Sequence, residues 1–335
     1  MRGWTRRAVR DFWGSEHPGL AARVAGTLLA PAELLFCAAV GVRNAWYEAR
    51  SQPSTSVPVV SVGNLTVGGT GKTPVVRWLA EWLHRTGARP AIVTRGYGGD
   101  ELALYRRWFG DDAVFAGRDR RACARAAGDR GYTVVVLDDG FQHRRLARAL
   151  DILLVAAEDP LDARMLPRGP YRESLASARR ATAVLITRRT PRRRRAAIWG
   201  EKLSRAAPGV PLLELEMTMS GWTDLDGAPA APPEGDVMAV CAIARPGPFV
   251  SGLGAMLPGA NVQHLAFADH HDYTRRDVSA LLRRLGHRTL VCTAKDAVKL
   301  ATFPELAGRC AVVGFGVVGD PAEPLRRALA EVIGA

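Results

Sequence analysis

The sequence predicts an α/β fold in which a mostly parallel sheet carries helices on both faces, followed by a smaller α/β domain. Three observations predict it. Short apolar strands alternate with amphipathic helical segments along most of the 335 residues, which is typical of strand–helix–strand units. Several strands are apolar throughout, as strands covered on both faces are. A glycine-rich loop, GGTGKT at 68–73, separates the first strand from a helix, as in P-loop NTPase-like folds.

The elements of the first domain follow one another at short spacing. The β-branched run VPVVSV at 57–62 predicts a strand. The segment 73–87 predicts a helix, because its apolar residues recur at helical spacing and Gly87 stops it. Further strands are predicted at 89–96, 113–117, 133–140, 151–157 and 182–188, and a further helix at 117–128.

After residue 210 the pattern predicts a second α/β unit. The segment 211–219 alternates between apolar and polar residues like a strand and could serve as a hinge. A glycine-rich turn is expected after the strand at 237–243. The remaining predicted elements are strands from 261, at 289–296 and at 310–316, and helices at 274–286 and 324–335.

Three parts are therefore expected along the chain. Residues 1–50 are expected to form an N-terminal basic and apolar, membrane-associating segment, 51–210 a P-loop kinase domain, and 211–335 a smaller α/β domain whose final helix could pack back on the core. The run RRTPRRRR at 188–195 is interpreted as a solvated loop or helix start. It contains no aromatic residues of the kind that interleave a nucleic-acid-binding patch.

Composition favours anionic partners and a reducing compartment. The net charge is +13, and only four residues are lysine: Lys72, Lys202, Lys295 and Lys299. Such a charge suits nucleic acid, phosphorylated metabolites or an anionic membrane, although arginines can also simply solvate a surface. The five cysteines are scattered, which argues against a disulfide framework or a structural zinc site.

The N-terminal segment has two interpretations. Basic and aromatic residues surround an apolar stretch at 28–42 that Pro31 and Glu33 interrupt. It has no convincing signal-peptide cleavage site and is too short to span a bilayer. The stretch could lie in a membrane interface or pack on the core of its own domain, and the sequence alone favours neither.

The glycine loop predicts a nucleotide triphosphate site, despite one departure from the usual pattern. Thr66 stands where the Walker A rule expects a glycine. Backbone N–H groups of a strand–loop–helix turn suit phosphate oxygens, Lys72 can reach the terminal phosphates, and the Thr73 hydroxyl can ligate Mg²⁺. The alternative, a purely structural turn, is disfavoured because the core of the motif is intact. The predicted phosphate-binding residues are Gly68, Gly69, Thr70, Gly71, Lys72 and Thr73.

Two acids end a buried strand at LDDG. Asp138 and Asp139 stand where open parallel sheets bind ligands, and a P-loop enzyme needs an acid there for Mg²⁺. Two adjacent acids can also simply be the polar residues that end a strand, but the P-loop that precedes them favours a role in binding the metal.

Missing motifs narrow the class of enzyme. A GTPase should carry N-K-x-D, whereas TAKD at 293–296 lacks the asparagine, and a partitioning ATPase would carry a lysine at Val67. Kinases and other transferases remain. A transferase to a hydroxyl needs a proton acceptor, and the candidates lie in two stretches. They are Asp100 and Glu101, and Asp269, His270, His271 and Asp272.

Taken together, these motifs resemble the tetraacyldisaccharide 4′-kinase (lipid A 4′-kinase) family of Gram-negative bacteria. The resemblance runs from about residue 20 to the C-terminus. It rests on GNLTVGGTGKT, TRGYGG, GRDR, LDDGFQH, LLPRGPYRES, FADHHDY and TAKDAVK in this order.

The resemblance implies phosphorylation, dependent on ATP and Mg²⁺, of the 4′-hydroxyl of an acylated glucosamine disaccharide 1-phosphate in lipopolysaccharide biosynthesis. It also implies a P-loop kinase domain, a smaller C-terminal domain and a two-stranded hinge. A peripheral or N-terminally anchored location at the cytoplasmic face of the inner membrane follows, with no nucleic-acid partner and no obligate protein partner.

Matched motif by motif, the resemblance also implies roles for single residues. Asp100 would accept the sugar proton with His270 as its partner, and Glu101 would lie near the metal with Asp138 and Asp139. Lys72 and Thr73 would handle phosphate and Mg²⁺. Substrate-binding positions would be Arg120, Arg172, Tyr97, Gln142 and His143.

Two departures from the family pattern leave questions open. Many members insert a long segment between RGYG and GDE, which nearly touch here, and Ala294 replaces a common glutamate before Lys295 and Asp296. The role of that last pair therefore stays open. The alternative function is a membrane-associated regulatory P-loop ATPase with a protein or DNA partner.

Overall fold

The structure, a computed structural model, describes residues 13, 20–96, 99–162, 164–189, 193–243 and 246–334. The chain divides into two compact units. The first comprises the described residues up to Arg95, Asp112–Glu216 and those from Gly319 onward, and the second comprises Gly96–Asp111 and Met217–Val318. Compared with the expected boundary at residue 211, the segment 96–111 groups with the second unit and the final helix with the first.

A parallel sheet forms the centre of the first unit. Its strand order is β3-β2-β4-β1-β5-β6-β7, with every neighbouring pair parallel. β1 lies between β4 and β5, where successive connections leave in opposite directions, and ligands bind at such switch points. The strands are β1 (Val59–Asn64), β2 (Pro90–Thr94), β3 (Val114–Ala116), β4 (Val134–Asp138), β5 (Leu150–Ala156), β6 (Ala183–Arg188) and β7 (Leu212–Thr223), of which the part up to Glu216 belongs here.

The helices of the first unit bury apolar faces on this sheet. Every residue of β1, β2, β4, β5 and β6 is buried, which confirms the predicted parallel sheet. Numbered in chain order over both units, the helices here are α1 (Leu20–Leu28), α2 (Ala30–Glu48), α3 (Lys72–Arg85), α5 (Arg120–Asp129), α6 (Arg193–Ala206) and α10 (Glu323–Ile333), with a 3₁₀ helix at Leu175–Arg180.

The second unit has a mixed sheet of its own. Its order is β7-β11-β10-β8-β9, antiparallel between β7 and β11 and parallel elsewhere. The strands are β8 (Val237–Cys241), β9 (Val262–Ala266), β10 (Thr289–Thr293) and β11 (Cys310–Val317). The helices are α4 (Gly99–Phe109), α7 (Gly247–Met256), α8 (Arg275–Leu285) and α9 (Ala294–Leu300), with a 3₁₀ helix at Pro304–Leu306. A further 3₁₀ helix, Asp111–Ala113, begins in this unit and continues in the first.

One element prediction in the second unit is wrong. The expected glycine-rich turn after β8 is the helix α7, which buries Phe249 and Leu253 one turn apart. A Cβ at Gly252 would lie 2.3 Å from the Met219 Sδ atom. This glycine therefore permits close helix packing, whereas the sequence analysis interpreted it as part of a turn.

The interpretation that the N-terminal stretch packs on its own domain is confirmed for one face of α2, and a position in a membrane interface stays a prediction. Phe36, Cys37 and Val40 pack against the core of the first unit. On the other side Leu34, Leu35 and Val42 are 70%, 74% and 73% exposed. Within the described ranges, no helix has the length and apolar character needed to cross a bilayer.

Candidate functional site

The glycine loop joins β1 to α3 at the carboxyl edge of the first sheet. Gly71, immediately before α3, has a left-handed φ of 88°, a conformation that only glycine adopts without strain. The Thr187 hydroxyl donates to the Thr70 carbonyl at 3.2 Å, and the Arg189 guanidinium donates to the Gly69 carbonyl. With its carbonyl groups tied back in this way, the loop can present N–H groups and a helix N-terminus to an anion.

Thr66 has a structural reason to replace the expected glycine. It is 3% exposed, and its hydroxyl donates to Asp159 Oδ2 at 3.4 Å. The neighbouring backbone pairs with the segment 170–172: Val67 N–H donates to the Pro170 carbonyl at 2.8 Å, and Arg172 N–H to the Leu65 carbonyl at 2.7 Å. The start of the loop is therefore fixed by side-chain and strand-like bonds.

Two cations and two acceptors form a cluster where α3 begins. The Arg172 guanidinium donates to both Asp139 carboxylate oxygens, at 3.0 and 3.1 Å. The Lys72 ammonium lies 3.0 Å from Asn64 Oδ1 and 3.5 Å from Asp139 Oδ1. Fork-shaped arginine–carboxylate pairs of this kind fix both partners in orientation.

The same cations set the charge state of Asp139. Partial burial raises the pKa of this carboxyl, but the Lys72 and Arg172 charges outweigh it and hold the pKa well below its ordinary value. Asp139 also has a positive φ of 50°. Because acids tolerate this region better than most residues, the side chain can turn toward the cations directly after the strand.

Asp138 and Thr73 supply further oxygen atoms at this edge. Asp138, the last residue of β4, is 4% exposed, and Thr73, in the first turn of α3, is 5% exposed. Oxygen donors suit Mg²⁺, which proteins bind through one or two carboxylates plus substrate phosphates. Over the described ranges, no group of three His, Cys, Asp or Glu residues is placed so that it could hold a metal ion.

An arginine-lined pocket of about 640 Å³ lies in the first unit. Within it the Arg120 guanidinium donates to His143 Nδ1 at 2.9 Å, so the imidazole proton is on Nε2. Burial and the arginines Arg120 and Arg148 lower the pKa of His143 to about 4. This histidine is therefore neutral at pH 7, and the pocket's positive charge comes from guanidinium groups. The lining residues are Arg43, Tyr47, Arg95, Arg118, Asp119, Arg120, Arg121, Gln142, His143, Arg144 and Arg145.

Asp100 and His270 meet in the second unit. The His270 Nδ1 and Asp100 Oδ2 atoms are 2.9 Å apart, with the carboxylate buried and the imidazole 45% exposed. Burial raises the pKa of Asp100, but the hydrogen bond and charge of His270 outweigh it and lower the pKa to about 2. The same hydrogen bond raises the pKa of His270. A buried carboxylate thus orients an accessible imidazole, which is the geometry of a proton-accepting pair.

The motif whose role was left open has a structural function in the second unit. Lys295 donates to Glu101 Oε1 at 2.7 Å. Asp296 is 2% exposed and accepts from the Ala242 backbone N–H and the Tyr273 hydroxyl, both at 2.9 Å. Lys295 thus holds the acid beside Asp100. Asp296 braces Ala242, directly after β8, and the Ala242 carbonyl accepts from the His270 backbone N–H at 3.0 Å.

The structure groups the predicted site residues into two sets. Lys72, Thr73, Asp138, Asp139 and Arg172 lie together in the first unit, as do the pocket residues Arg120, Gln142 and His143. Asp100, Glu101 and His270 lie in the second. Tyr97 lies outside the described residues.

Sequence analysis missed Asn64 and most of the pocket arginines. The available signal for Asn64 was an amide ending an otherwise apolar strand. For the arginines it was their position beside each quoted motif, as in GRDRR and QHRR.

Known proteins match this chain over most of its length. The family model for tetraacyldisaccharide-1-P 4′-kinase matches residues 25–333. The chain is similar to tetraacyldisaccharide 4′-kinases of Anaeromyxobacter dehalogenans strain 2CP-1 (38% identity, 91% of this chain, 89% of the relative) and Halorhodospira halophila (35% identity, 89% of each). It also resembles the crystal structure of LpxK from Aquifex aeolicus in complex with ATP, with a TM-score of 0.74 and 27% identity over 92% of this chain and 99% of that one.

The account of Thr66 predicts that restoring the usual glycine weakens the loop. Thr66→Gly removes a buried hydroxyl and adds backbone freedom, and we expect a loss of about 1–3 kcal/mol in the free energy of unfolding with weaker ATP binding. The control Thr66→Ser keeps the hydroxyl and should stay close to the wild type. Urea unfolding and calorimetric ATP titration measure both effects. A glycine variant as stable and as tight-binding as the wild type would contradict this role.

Proposed function

The chain belongs to the tetraacyldisaccharide-1-P 4′-kinase family, and we propose how its two sets of site residues carry out the family's reaction. It is an ATP-dependent kinase of lipid A biosynthesis that phosphorylates the 4′-hydroxyl of tetraacyldisaccharide 1-phosphate. This excludes the regulatory ATPase alternative as the main function. The observation that carries the proposal is the Lys72–Arg172–Asp139 cluster at the start of α3.

In this proposal the first unit holds the phosphates of ATP. Loop N–H groups from Gly68 to Thr73 cradle them, and Lys72 and Arg172 bind the transferred group. In the structure the Asp139 carboxylate pairs with both cations, as we propose that a phosphate does. On ATP binding, the γ-phosphate takes over part of these contacts. Because phosphoryl transfer needs mainly positioning and charge stabilisation, fixed cations are the useful groups here.

Mg²⁺ would be held by the Thr73 hydroxyl and by the Asp138 and Asp139 carboxylates at the strand edge. When bound, it supplies neutralisation of phosphate charge. Glu101, predicted as a further acid near the metal, is paired with Lys295. We propose that this pair keeps Glu101 in place beside Asp100.

The arginine-lined pocket would receive the anionic head of the acceptor. Seven of its lining residues are arginines and one is an acid, and guanidinium groups bind phosphate through paired hydrogen bonds. Arg120 and neutral His143 provide oriented donors, and Gln142 links the pocket to the loop through a 2.9 Å bond to the Asn64 carbonyl. The phosphate already present on the disaccharide is the group that suits this charge.

The second unit supplies the proton-accepting pair. His270 and Asp100 take the 4′-hydroxyl proton as the oxygen attacks phosphorus, and the bond from phosphorus to ADP breaks. The proton passes to the pair, and the phosphoryl group ends on the sugar oxygen. The buried carboxylate stabilises the imidazolium that forms.

We further propose that α2 places the protein at the cytoplasmic face of the inner membrane. Its exposed apolar residues Leu34, Leu35 and Val42 lie on one face of the helix. Near the C-terminal end of α2, the Arg50 guanidinium lies 3.9 Å from the centre of the Trp46 ring. Apolar residues with aromatic and basic neighbours are typical of interfacial helices. The lipid acceptor resides at such a surface.

Transfer is tested directly with purified protein, [γ-³²P]ATP and tetraacyldisaccharide 1-phosphate in mixed micelles. We expect label on the lipid, and Asp100→Ala should lower kcat by about 10²–10⁴-fold with ATP affinity unchanged. Asp226→Ala removes an exposed acid of the same unit that no motif includes and serves as the matched control. Label found only as free phosphate would overturn the proposal, and a fully active Asp100→Ala would remove this residue from the mechanism.

The pair also predicts a pH dependence. The hydrogen bond that His270 donates to Asp100 raises the pKa of His270. Below that pKa the imidazole is protonated and cannot accept a proton. The acid limb of the kcat profile should therefore lie above pH ~6.5. Asp100→Asn cannot stabilise the imidazolium, so its limb should move to lower pH. A limb at the same pH in both proteins would exclude His270 as the titrating group.

Membrane association is tested by flotation with liposomes that contain anionic phospholipid. Replacing Leu34, Leu35 and Val42 together by glutamine should lower the bound fraction at least about tenfold, because three apolar side chains no longer enter the interface. The control Val318→Gln changes an equally exposed apolar residue elsewhere and should float normally. Unchanged flotation of the triple variant would contradict the role of this face.

A further inference from the structure

We propose that Asn64 is a positioning residue that places Lys72 and Arg172 for phosphoryl transfer without neutralising either cation. This inference rests on the proposed function, in which those two cations bind the transferred phosphate. Asn64 is the last residue of β1 and is fully buried.

Both ends of the Asn64 amide are engaged. The Nδ2 group donates to the Thr66 carbonyl at 2.9 Å and to its hydroxyl at 3.2 Å. The Oδ1 atom accepts from the Lys72 ammonium at 3.0 Å and from the Arg172 guanidinium. A carbonyl can only accept and a cation can only donate, so these partners determine which end of the amide is oxygen. The side chain therefore has one orientation and one set of partners.

The Asn64 backbone extends the same connection. Its carbonyl accepts from Gln142 Nε2 at 2.9 Å and from Arg172 at 3.0 Å. One residue thus joins the glycine loop, the segment after β4 and the segment that carries Arg172. The position of each cation relative to the loop depends on this shared acceptor.

The neutrality of the amide matters as much as its position. Lys72 and Arg172 share Asp139 as their charged acceptor and Asn64 as their neutral one. Lys72 and Arg172 carry two positive charges and Asp139 carries one negative charge, so the cluster keeps a net positive charge that attracts phosphate. An aspartate here would cancel that charge. It would also place a carboxylate oxygen against the Thr66 carbonyl, where the amide now donates.

Two substitutions separate these properties. Asn64→Asp keeps the shape and changes the charge, so we expect ATP affinity to fall at least about tenfold. Asn64→Ala removes the acceptor but keeps the net charge, so we expect kcat to fall at least about tenfold with a smaller change in ATP affinity. The control Asn261→Asp adds the same charge at an exposed position and should change neither quantity. Tm values identify any variant that fails to fold.

A double-mutant cycle with Lys72→Ala distinguishes positioning from a merely structural role. If Asn64 acts through Lys72, Asn64→Asp should change ATP affinity much less in the Lys72→Ala background than in the wild type. Full additivity would overturn the inference, as would single variants with wild-type kinetics. The unmodified protein in the same lipid-transfer assay separates the two claims. If the unmodified protein labels lipid and the cycle is additive, only the role of Asn64 is wrong. If the unmodified protein labels no lipid, the proposed function is wrong.

Discussion

Arg172 and Lys72 share two acceptors, Asp139 and Asn64, and the proposed chemistry of the first unit depends on this cluster. It lies where β1 and β4, neighbouring parallel strands, both end. Two cations so close together repel each other unless acceptors lie between them. One charged and one neutral acceptor keep them in place and leave net positive charge. The glycine loop, the strand-end acids and the arginine-lined pocket all adjoin the segments that this cluster holds.

In the proposed mechanism the second unit has a different task, which is to keep a proton acceptor ready. Burial by itself raises the pKa of the Asp100 carboxyl, and the hydrogen bond and charge that His270 supplies outweigh this effect and lower the pKa. His270 has a positive φ of 59°, and its backbone N–H donates to the Ala242 carbonyl at 3.0 Å. Asp296 braces the same Ala242 residue. Asp296, which had no role assigned from the sequence, therefore supports the geometry of the Asp100–His270 pair through the backbone of Ala242.

Much of this could be predicted from sequence, and the remainder has physical reasons. β1 was predicted at 57–62 and lies at Val59–Asn64, because buried parallel strands are apolar throughout. The helix α7 was missed because glycines indicate turns, and nothing local shows that Gly252 faces Met219. Asn64 was missed because Arg172, which gives its amide a function, lies 108 residues away. The pocket arginines were missed because, in an arginine-rich chain, a position beside a motif does not by itself separate clustered guanidinium groups from solvated ones.

The scarcity of lysine makes the central claim, that Lys72 exchanges acceptors for the ATP phosphate, directly measurable. With four lysines in the chain, a ¹³C-lysine-labelled sample gives few side-chain NMR signals, and Lys72→Arg identifies the one from the loop. On titration with ATP and Mg²⁺, the account predicts that the Lys72 signal shifts most and reports the ATP dissociation constant. A Lys72 signal that does not move at saturating ATP would contradict the account.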